Sequence, residues 1–314
     1  MYKKLPLIIT LFTLICLGCS DDNAQVEWVE EQSGTDAHLF GVHFIDAKLG
    51  WAVGSGGTVL SSKDGGKTWN ESVDKSLNNV TLTEVSFATP KNGWLVSIGK
   101  VHYTGSGGNT WTVQHQARAL AGKPPGILDL YFVNTAEGWA VGGTGTILHT
   151  MNGGSNWVKI MSPSEKHLWG VHFVDPELGW IVGEDGEILH TSDGGKRWER
   201  QNSDAEQPLF AVCFINQQKG WIVGSNGLIL HTTNGGQTWQ KQNNPMKQSL
   251  RAVAFRNEKQ GWAIGEEGLI LYTIDSGATW NQSASPTTKN LQDIMLFKKS
   301  GWIVGEKGTI LRMD

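Results

Sequence analysis

Short apolar runs alternate with polar punctuation along the chain from about residue 27 onward. The pattern is clearest around Trp180. Leu168-Trp169-Gly170-Val171-His172-Phe173 alternates like a half-buried strand, and Gly179-Trp180-Ile181-Val182-Gly183 forms a second run. Glu187-Ile188-Leu189-His190-Thr191 is a third, after a tight turn at Glu184-Asp185-Gly186, and Trp198 to Gln201 is a fourth. Runs rich in β-branched and aromatic residues, bounded by Gly and Asp, predict strands. The unit recurs. Gly-Trp pairs place Trp51, Trp94, Trp139, Trp180, Trp221, Trp262 and Trp302 at steps of 43, 45, 41, 41, 41 and 40 residues. Four strands in about 41 residues predict one propeller blade. The expected fold is therefore all-β: a seven-bladed β-propeller of four-stranded blades.

A second motif precedes each fourth strand. Ser62-Lys63-Asp64-Gly65-Gly66-Lys67-Thr68-Trp69 in blade 1 resembles the Asp-box, or bacterial neuraminidase repeat. Blade 4 carries it from Thr191 through Asp193 to Trp198; blades 3 and 5 place Asn152 and Asn234 at the Asp position; blade 6 has Asp275, and blade 2 weakens it to Ser106. An Asp or Asn side chain there bonds nearby backbone N–H groups and stabilises the turn. The tryptophan that follows is expected to plug the space between sheets.

Six Asp-boxes serve seven Gly-Trp pairs. Blade 7 runs Leu291–Phe297, Gly301–Gly305 and Gly308–Met313, and its fourth strand is missing at the C-terminus. Trp28-Val29-Glu30-Glu31-Gln32 matches the other fourth strands and is expected to supply it, closing the ring and covering an open sheet edge. Trp28 to Asp314 is 287 residues, seven repeats of 41.

The first residues change the picture outside the ring. Lys3 and Lys4 precede an apolar stretch from Leu5 to Gly18. That stretch is short for a membrane span, which needs about 20 apolar residues, and reads as an export signal over residues 1–18. Gly18-Cys19 resembles a bacterial lipobox, with Cys16 where Leu is usual. Residues 19–26 then form a lipidated Cys19 and spacer, and residues 27–314 a single propeller. The expected location is the cell envelope, exported and lipid-tethered, periplasmic or extracellular. The mature chain carries 24 basic and 30 acidic side chains, or −6. That balance disfavours nucleic acid as a partner. Acylation of Cys19 would leave Cys213 without an intrachain partner.

Most prominent residues belong to the scaffold. His149, His190 and His231 are one repeat position in three blades. Adjacent sheets lie about 10 Å apart, whereas zinc needs ligands near 2 Å, so neither metal nor cofactor is expected. Sialidase chemistry needs an arginine cluster and a tyrosine nucleophile with a glutamate. The arginines Arg118, Arg197, Arg200, Arg251, Arg256 and Arg312 are scattered, so no catalytic residue and no enzymatic activity are expected. Variation where the rest repeats points to a binding surface. The residue after the first-strand leucine is Phe40, Trp169, Phe210, Arg251 or Gln292 in the clearer blades. Exposed Phe, Trp and Arg are favoured at interfaces. Phe40, Trp169, Phe210 and Arg251 are therefore candidate partner-binding residues, with Arg118 from the longer basic loop 114–126. Glu184, Asp185, Glu266, Glu267 and Glu306 form an acidic sector nearby.

The combination of Leu-x-x-Val-x-Phe, Gly-Trp-x-Val-Gly, Ile-Leu-x-Thr and Asp-Gly-Gly-x-x-Trp resembles the photosystem II stability/assembly factor family of photosynthesis and its relatives in non-photosynthetic bacteria. The likeness covers residues 28–314. It implies a non-catalytic, protein-binding propeller that aids assembly or stability of a membrane-associated complex; the chain is expected to be a monomer with a membrane-complex subunit as its partner. The family's arginine patch is not reproduced, so no binding residue is carried over. Glycan binding or a degenerate sialidase-like glycosidase activity is the alternative, and a structural surface module a third.

Overall fold

The computed structural model describes residues 27–117 and 126–314. Cys19 and Arg118 lie outside them. Seven antiparallel sheets of four strands are present, each strand pairing with its neighbour in sequence except at the closure. Blade 1 comprises Leu39–Phe44, Gly50–Gly54, Val59–Ser62 and Asn70–Glu71. Blade 4 comprises Leu168–Phe173, Gly179–Gly183, Ile188–Thr191 and Glu199–Arg200. In blade 7, Leu291–Phe297, Ser300–Gly305 and Ile310–Met313 are joined by Val29–Glu31 from the other end of the chain. The register sets Val29 opposite Arg312 and Glu31 opposite Ile310. First strands of successive blades touch all the way round, blade 7 meeting blade 1. The ring is closed as the repeat count predicts.

The Gly-Trp pair now has a packing reason. The sixth residue of a first strand is Phe in six blades, and it lies opposite the glycine of the pair: Phe44 faces Gly50, and Phe173 faces Gly179. A methyl group added at Gly50, Gly93, Gly179, Gly220 or Gly261 would stand 2.5 Å from that ring. Only hydrogen fits there. The tryptophan points the other way, across the seam. Trp51, Trp94, Trp139, Trp180, Trp221 and Trp302 each stack face to face on the Phe of the following blade, with centroids 3.5–3.6 Å apart. The fourth-strand tryptophan, Trp69 in blade 1 or Trp198 in blade 4, meets the same Phe edge-on at 5.8 Å. Such contacts contribute about 0.5–1.5 kcal/mol each beyond area burial.

The Asp-box ties the same seam by hydrogen bonds. In blade 4, Thr191 Oγ1 donates to Asp193 Oδ1 (2.9 Å) and accepts from Gly195 N (2.9 Å), while Asp193 Oδ1 accepts from Arg197 N (3.0 Å). Asp64, Asn152, Asn234 and Asp275 accept the equivalent amide at 2.8–3.0 Å. Ser106 Oγ does so in blade 2 at 3.0 Å, so the weakened motif keeps its bond. The turn held in this way offers a carbonyl to the preceding blade. Trp302 Nε1 donates to Gly65 O (2.8 Å), and Trp139 Nε1 to Gly194 O (3.2 Å).

The seam between blades 6 and 7 departs from this scheme. Among the described residues blade 7 shows no Asp-box, and Leu296 stands where the other blades have Phe. Trp262 is covered instead by the Arg256 guanidinium, 4.9 Å above its ring. Trp28 joins the same cluster with Ile264, Ile294 and Met313, and is 3% exposed. The paired strand starts at Val29, one residue after it. The fourth strand of blade 4 is likewise shorter than expected, Glu199–Arg200, with the buried Trp198 just before it.

Candidate functional site

Every first strand carries a bulge after its first residue. A bulge redirects side chains locally, and the second and third residues both line the axis here. Phe40, Thr83, Leu128, Trp169, Phe210, Arg251 and Gln292, all second residues, surround the mouth of a 230 Å³ cavity. The structure thus brings Phe40, Trp169, Phe210 and Arg251 together. The Trp169 and Phe210 rings are 5.3 Å apart, and the Arg251 guanidinium lies 4.5 Å over Phe210. Arg251 Nη2 donates to Glu266 Oε1 at 2.8 Å. The acidic turns nearby are internally paired: Glu184 accepts from His167 N (3.3 Å), Glu267 from Gln248 (3.0 Å), and Glu306 from Asn290 (3.0 Å). Asp185 lies 3.8 Å from Lys166 Nζ.

Below the mouth sit three carboxylates, Glu84, Asp129 and Asp293. They are the third residues of blades 2, 3 and 7, where the other blades have Gly41, Gly170, Ala211 and Ala252. Asp293 accepts from Ile294 N (2.8 Å) and, across the seam, from Val42 N (2.9 Å). Asp129 accepts from Leu130 N and from Val171 N of blade 4, both at 2.7 Å. Both aspartates therefore stitch neighbouring blades. Glu84 Oε1 accepts from Val85 N at 2.9 Å. Burial lifts the Asp129 carboxyl to about 7, against the downward pull of its two amide donors and with a further push from Asp293. Burial raises Asp293 to about 6 against the pull of Val42 and Ile294. Glu84 is raised well above the carboxylate range by burial and then by the charges of Asp293 and Asp129.

A pH dependence follows. Because the folded pKa of Asp129 is raised, its contribution to stability is complete below about pH 4 and is lost as pH rises through about 7. Buried histidines act in the opposite direction. His43 and His172 are held down to about 4 by burial, so their contribution is lost as pH falls from about 6.5. Comparing Asp129→Asn with the parent cancels the histidines. The variant is expected to gain stability relative to the parent as pH rises from about 5 to about 8, because it lacks an acid that burial holds neutral. Urea unfolding at the two pH values measures this. A constant difference would show that Asp129 ionises freely.

The other end of the channel widens to 660 Å³, lined by the fifth residues, His43, Ser86, Tyr131, His172, Cys213, Ala254 and Met295. These groups serve the seams. A His172 ring nitrogen meets Phe214 O at 3.0 Å. Burial pushes Cys213 up to about 11 and Tyr131 up to about 12, so both stay neutral. His149, His190 and His231 pack on the tryptophans of their own blades at 4.8–5.0 Å. Among the described residues no group of three or more His, Cys, Asp or Glu comes together to hold a metal ion. In blade 2, Ser97 Oγ and His102 Nε2 are 2.8 Å apart, a spacing used by hydrolases. Ser97 is wholly buried, so no substrate reaches it. A 790 Å³ cleft on the outer edge of blades 4 and 5 is walled by side chains such as Arg200, Gln201, Gln217 and Asn234, with Glu199 its one acid.

Sequence reasoning located the mouth and missed the acids beneath it. A signal was present: an acid at the third first-strand position, in three blades, where the others hold only Gly or Ala.

The sequence matches the family described as "Photosynthesis system II assembly factor YCF48" over residues 20–131, 71–164, 155–247 and 241–314. The Photosystem II assembly lipoprotein Ycf48 of Picosynechococcus sp. is 30% identical over 148 residues, covering 46% of this chain and 43% of that protein. The matched stretch thus spans less than half the length of that relative. Two solved structures share the fold: "YCF48 bound to D1 peptide" (24% identity, TM-score 0.76, 91% of this chain and 96% of that one) and "YCF48 from Cyanidioschyzon merolae" (22%, 0.77, 91% and 98%). With family matches running from residue 20 to the C-terminus, the chain belongs to the photosynthesis system II assembly factor YCF48 family.

Proposed function

We propose that this propeller is a non-catalytic binding protein that holds a polypeptide of a membrane-associated complex and aids that complex's assembly or stability. The carrying observation is the channel mouth. There alone among the first-strand positions do Phe40, Trp169, Phe210 and Arg251 converge, half-buried rather than packed in a seam. Aromatic and Arg anchors in a concave site suit a protein interface. A relative captured with a peptide supports the reading. The dispersal of the described arginines weighs against glycosidase chemistry: Arg200 pairs with Glu187 on the outer side of blade 4, and Arg312 with Glu31 at the closure. Tethering through Cys19 would hold a monomeric propeller at an envelope membrane, in keeping with a relative named as a lipoprotein.

Crosslinking and pulldown from native membranes tests this. The wild-type chain is expected to capture one or a few membrane-complex subunits. Trp169→Ala and Arg251→Ala should each lower the yield about tenfold, as loss of an anchor residue does. Equal capture by both variants would remove the mouth as the interface.

A further inference from the structure

We propose that the channel mouth takes one protonated side chain, lysine or arginine, from the partner polypeptide, seated on Glu84, Asp129 and Asp293 and covered by the rings of Phe40, Trp169 and Phe210. The inference rests on the protein-binding reading and states what that site recognises.

The first ground is a carboxylate oxygen without a donor. Each aspartate uses one oxygen on the amide that follows it and the other on an amide of the next blade. The cross-seam amide that would serve Glu84 is Leu130 N, and Asp129 already holds it. Glu84 is one methylene longer and accepts only from Val85 N, through Oε1. Oε2 meets no donor. Glu84 is half-buried, and its side chain faces the cavity. A half-buried acid with one oxygen uncommitted to the protein gains from a charged donor.

The second ground is the aromatic rim, which already holds a cation. Arg251 stacks on Phe210, so that ring face accepts a guanidinium. Glu266 tethers Arg251 at the mouth, and no Lys, Arg or His among the described residues bonds the three acids. The site therefore shows a cation at its lip and none at its base. The acids do not form a metal-holding group, and a 230 Å³ cavity admits one long side chain, not a strand. An organic cation on a flexible stem fits both constraints. It would pair the acids and keep them ionised, so seating it releases protons that burial had held on them.

The test titrates the full mature chain with three blocked tripeptides, acetyl-Gly-Lys-Gly-amide, acetyl-Gly-Arg-Gly-amide and acetyl-Gly-Gln-Gly-amide. Calorimetry near pH 7 in two buffers of different ionisation heat reads affinity and proton release. Both cationic peptides are expected to bind in the millimolar range with proton release, and the Gln peptide at least about tenfold more weakly. Glu84→Gln should weaken the cationic peptides about tenfold, while Glu306→Gln, an acid of the same face outside the channel, should change them less than about twofold. Equal binding of the Gln peptide, full affinity in Glu84→Gln, or no binding of either cationic peptide overturns the proposal. Should Glu84→Gln fail to fold, Trp169→Leu replaces it, and unchanged binding there is equally decisive. A protein that captures its partner from membranes but takes no cationic peptide sinks this inference alone. One that takes the peptides but captures no protein sinks the protein-binding reading instead.

Discussion

A chain lacking residues 27–32 is expected to lose its cooperative unfolding transition, and Trp28→Ala to lose about 3–5 kcal/mol. The segment does three jobs at once. Val29–Glu31 pairs with Ile310–Met313 and completes the last sheet. Glu31 meets Arg312 at 2.8 Å, with both side chains largely buried. Trp28 packs in the seam between blades 6 and 7, which among the described residues has neither the Phe stack nor the Asp-box bond. Apart from Arg256 over Trp262, the seam is filled by aliphatic side chains such as Ile264, Ile294 and Met313, so the loss of the large Trp28 ring is poorly compensated. Total stability is of order 5–15 kcal/mol for a domain, and deletion removes the core tryptophan together with the strand pairing. The deleted chain would also expose the edge of Ile310–Met313. Trp28→Phe makes a useful control. The Trp28 indole nitrogen is buried without a partner, so its removal should cost much less than removal of the ring. Denaturant unfolding followed by tryptophan fluorescence and circular dichroism reads all three. An unchanged midpoint in the deleted chain would refute closure as a source of stability.

Gly179→Ala should destabilise by about 3 kcal/mol or more, an unusual cost for one added methyl group. The new carbon would stand 2.5 Å from the Phe173 ring. That ring has no room to retreat. Trp139 lies flat against one side at 3.6 Å, and Trp198 abuts it edge-on at 5.8 Å. Moving Phe173 therefore disturbs two blades. Gly301→Ala is the comparison within the same fold. There the methyl group meets the end of Met313 and Leu296, and a thioether chain can swing aside. Gly301→Ala should cost distinctly less. The reverse order of midpoints would show that the Phe–Trp stack is not what excludes a side chain at the Gly-Trp pair.

Much of this architecture is legible in the chain because a repeat repeats its chemistry. The 41-residue spacing gives the number of blades, and six Asp-boxes against seven Gly-Trp pairs point to Trp28 as the missing fourth-strand tryptophan. The mouth is legible for the opposite reason. Phe40, Trp169, Phe210 and Arg251 stand at one repeat position yet differ, and a position that packs into every seam could not vary so widely. The acids were harder to see. Glu84, Asp129 and Asp293 are separated by 45 and 164 residues, and simple alternation along a strand does not place second and third residues on the same axis. The bulge in each first strand does so.

The amino-acid sequence by itself determined the blade, the blade count and the strand that closes the ring. The blade follows from local turn chemistry, hydrophobic alternation and spacing that act within about 40 residues, and the blade count and closing strand from counting those motifs along the chain. Only the tertiary structure decided what the glycine of each Gly-Trp pair is for, why blade 6 meets blade 7 differently, and that three distant acids share one channel. The reason is geometric. Ring closure brings together residues from separate blades, and the contact across a seam, Trp302 on Phe44 or Asp293 on Val42, spans up to 258 positions of chain. No local pattern carries that information, whereas a closed ring of seven sheets imposes it.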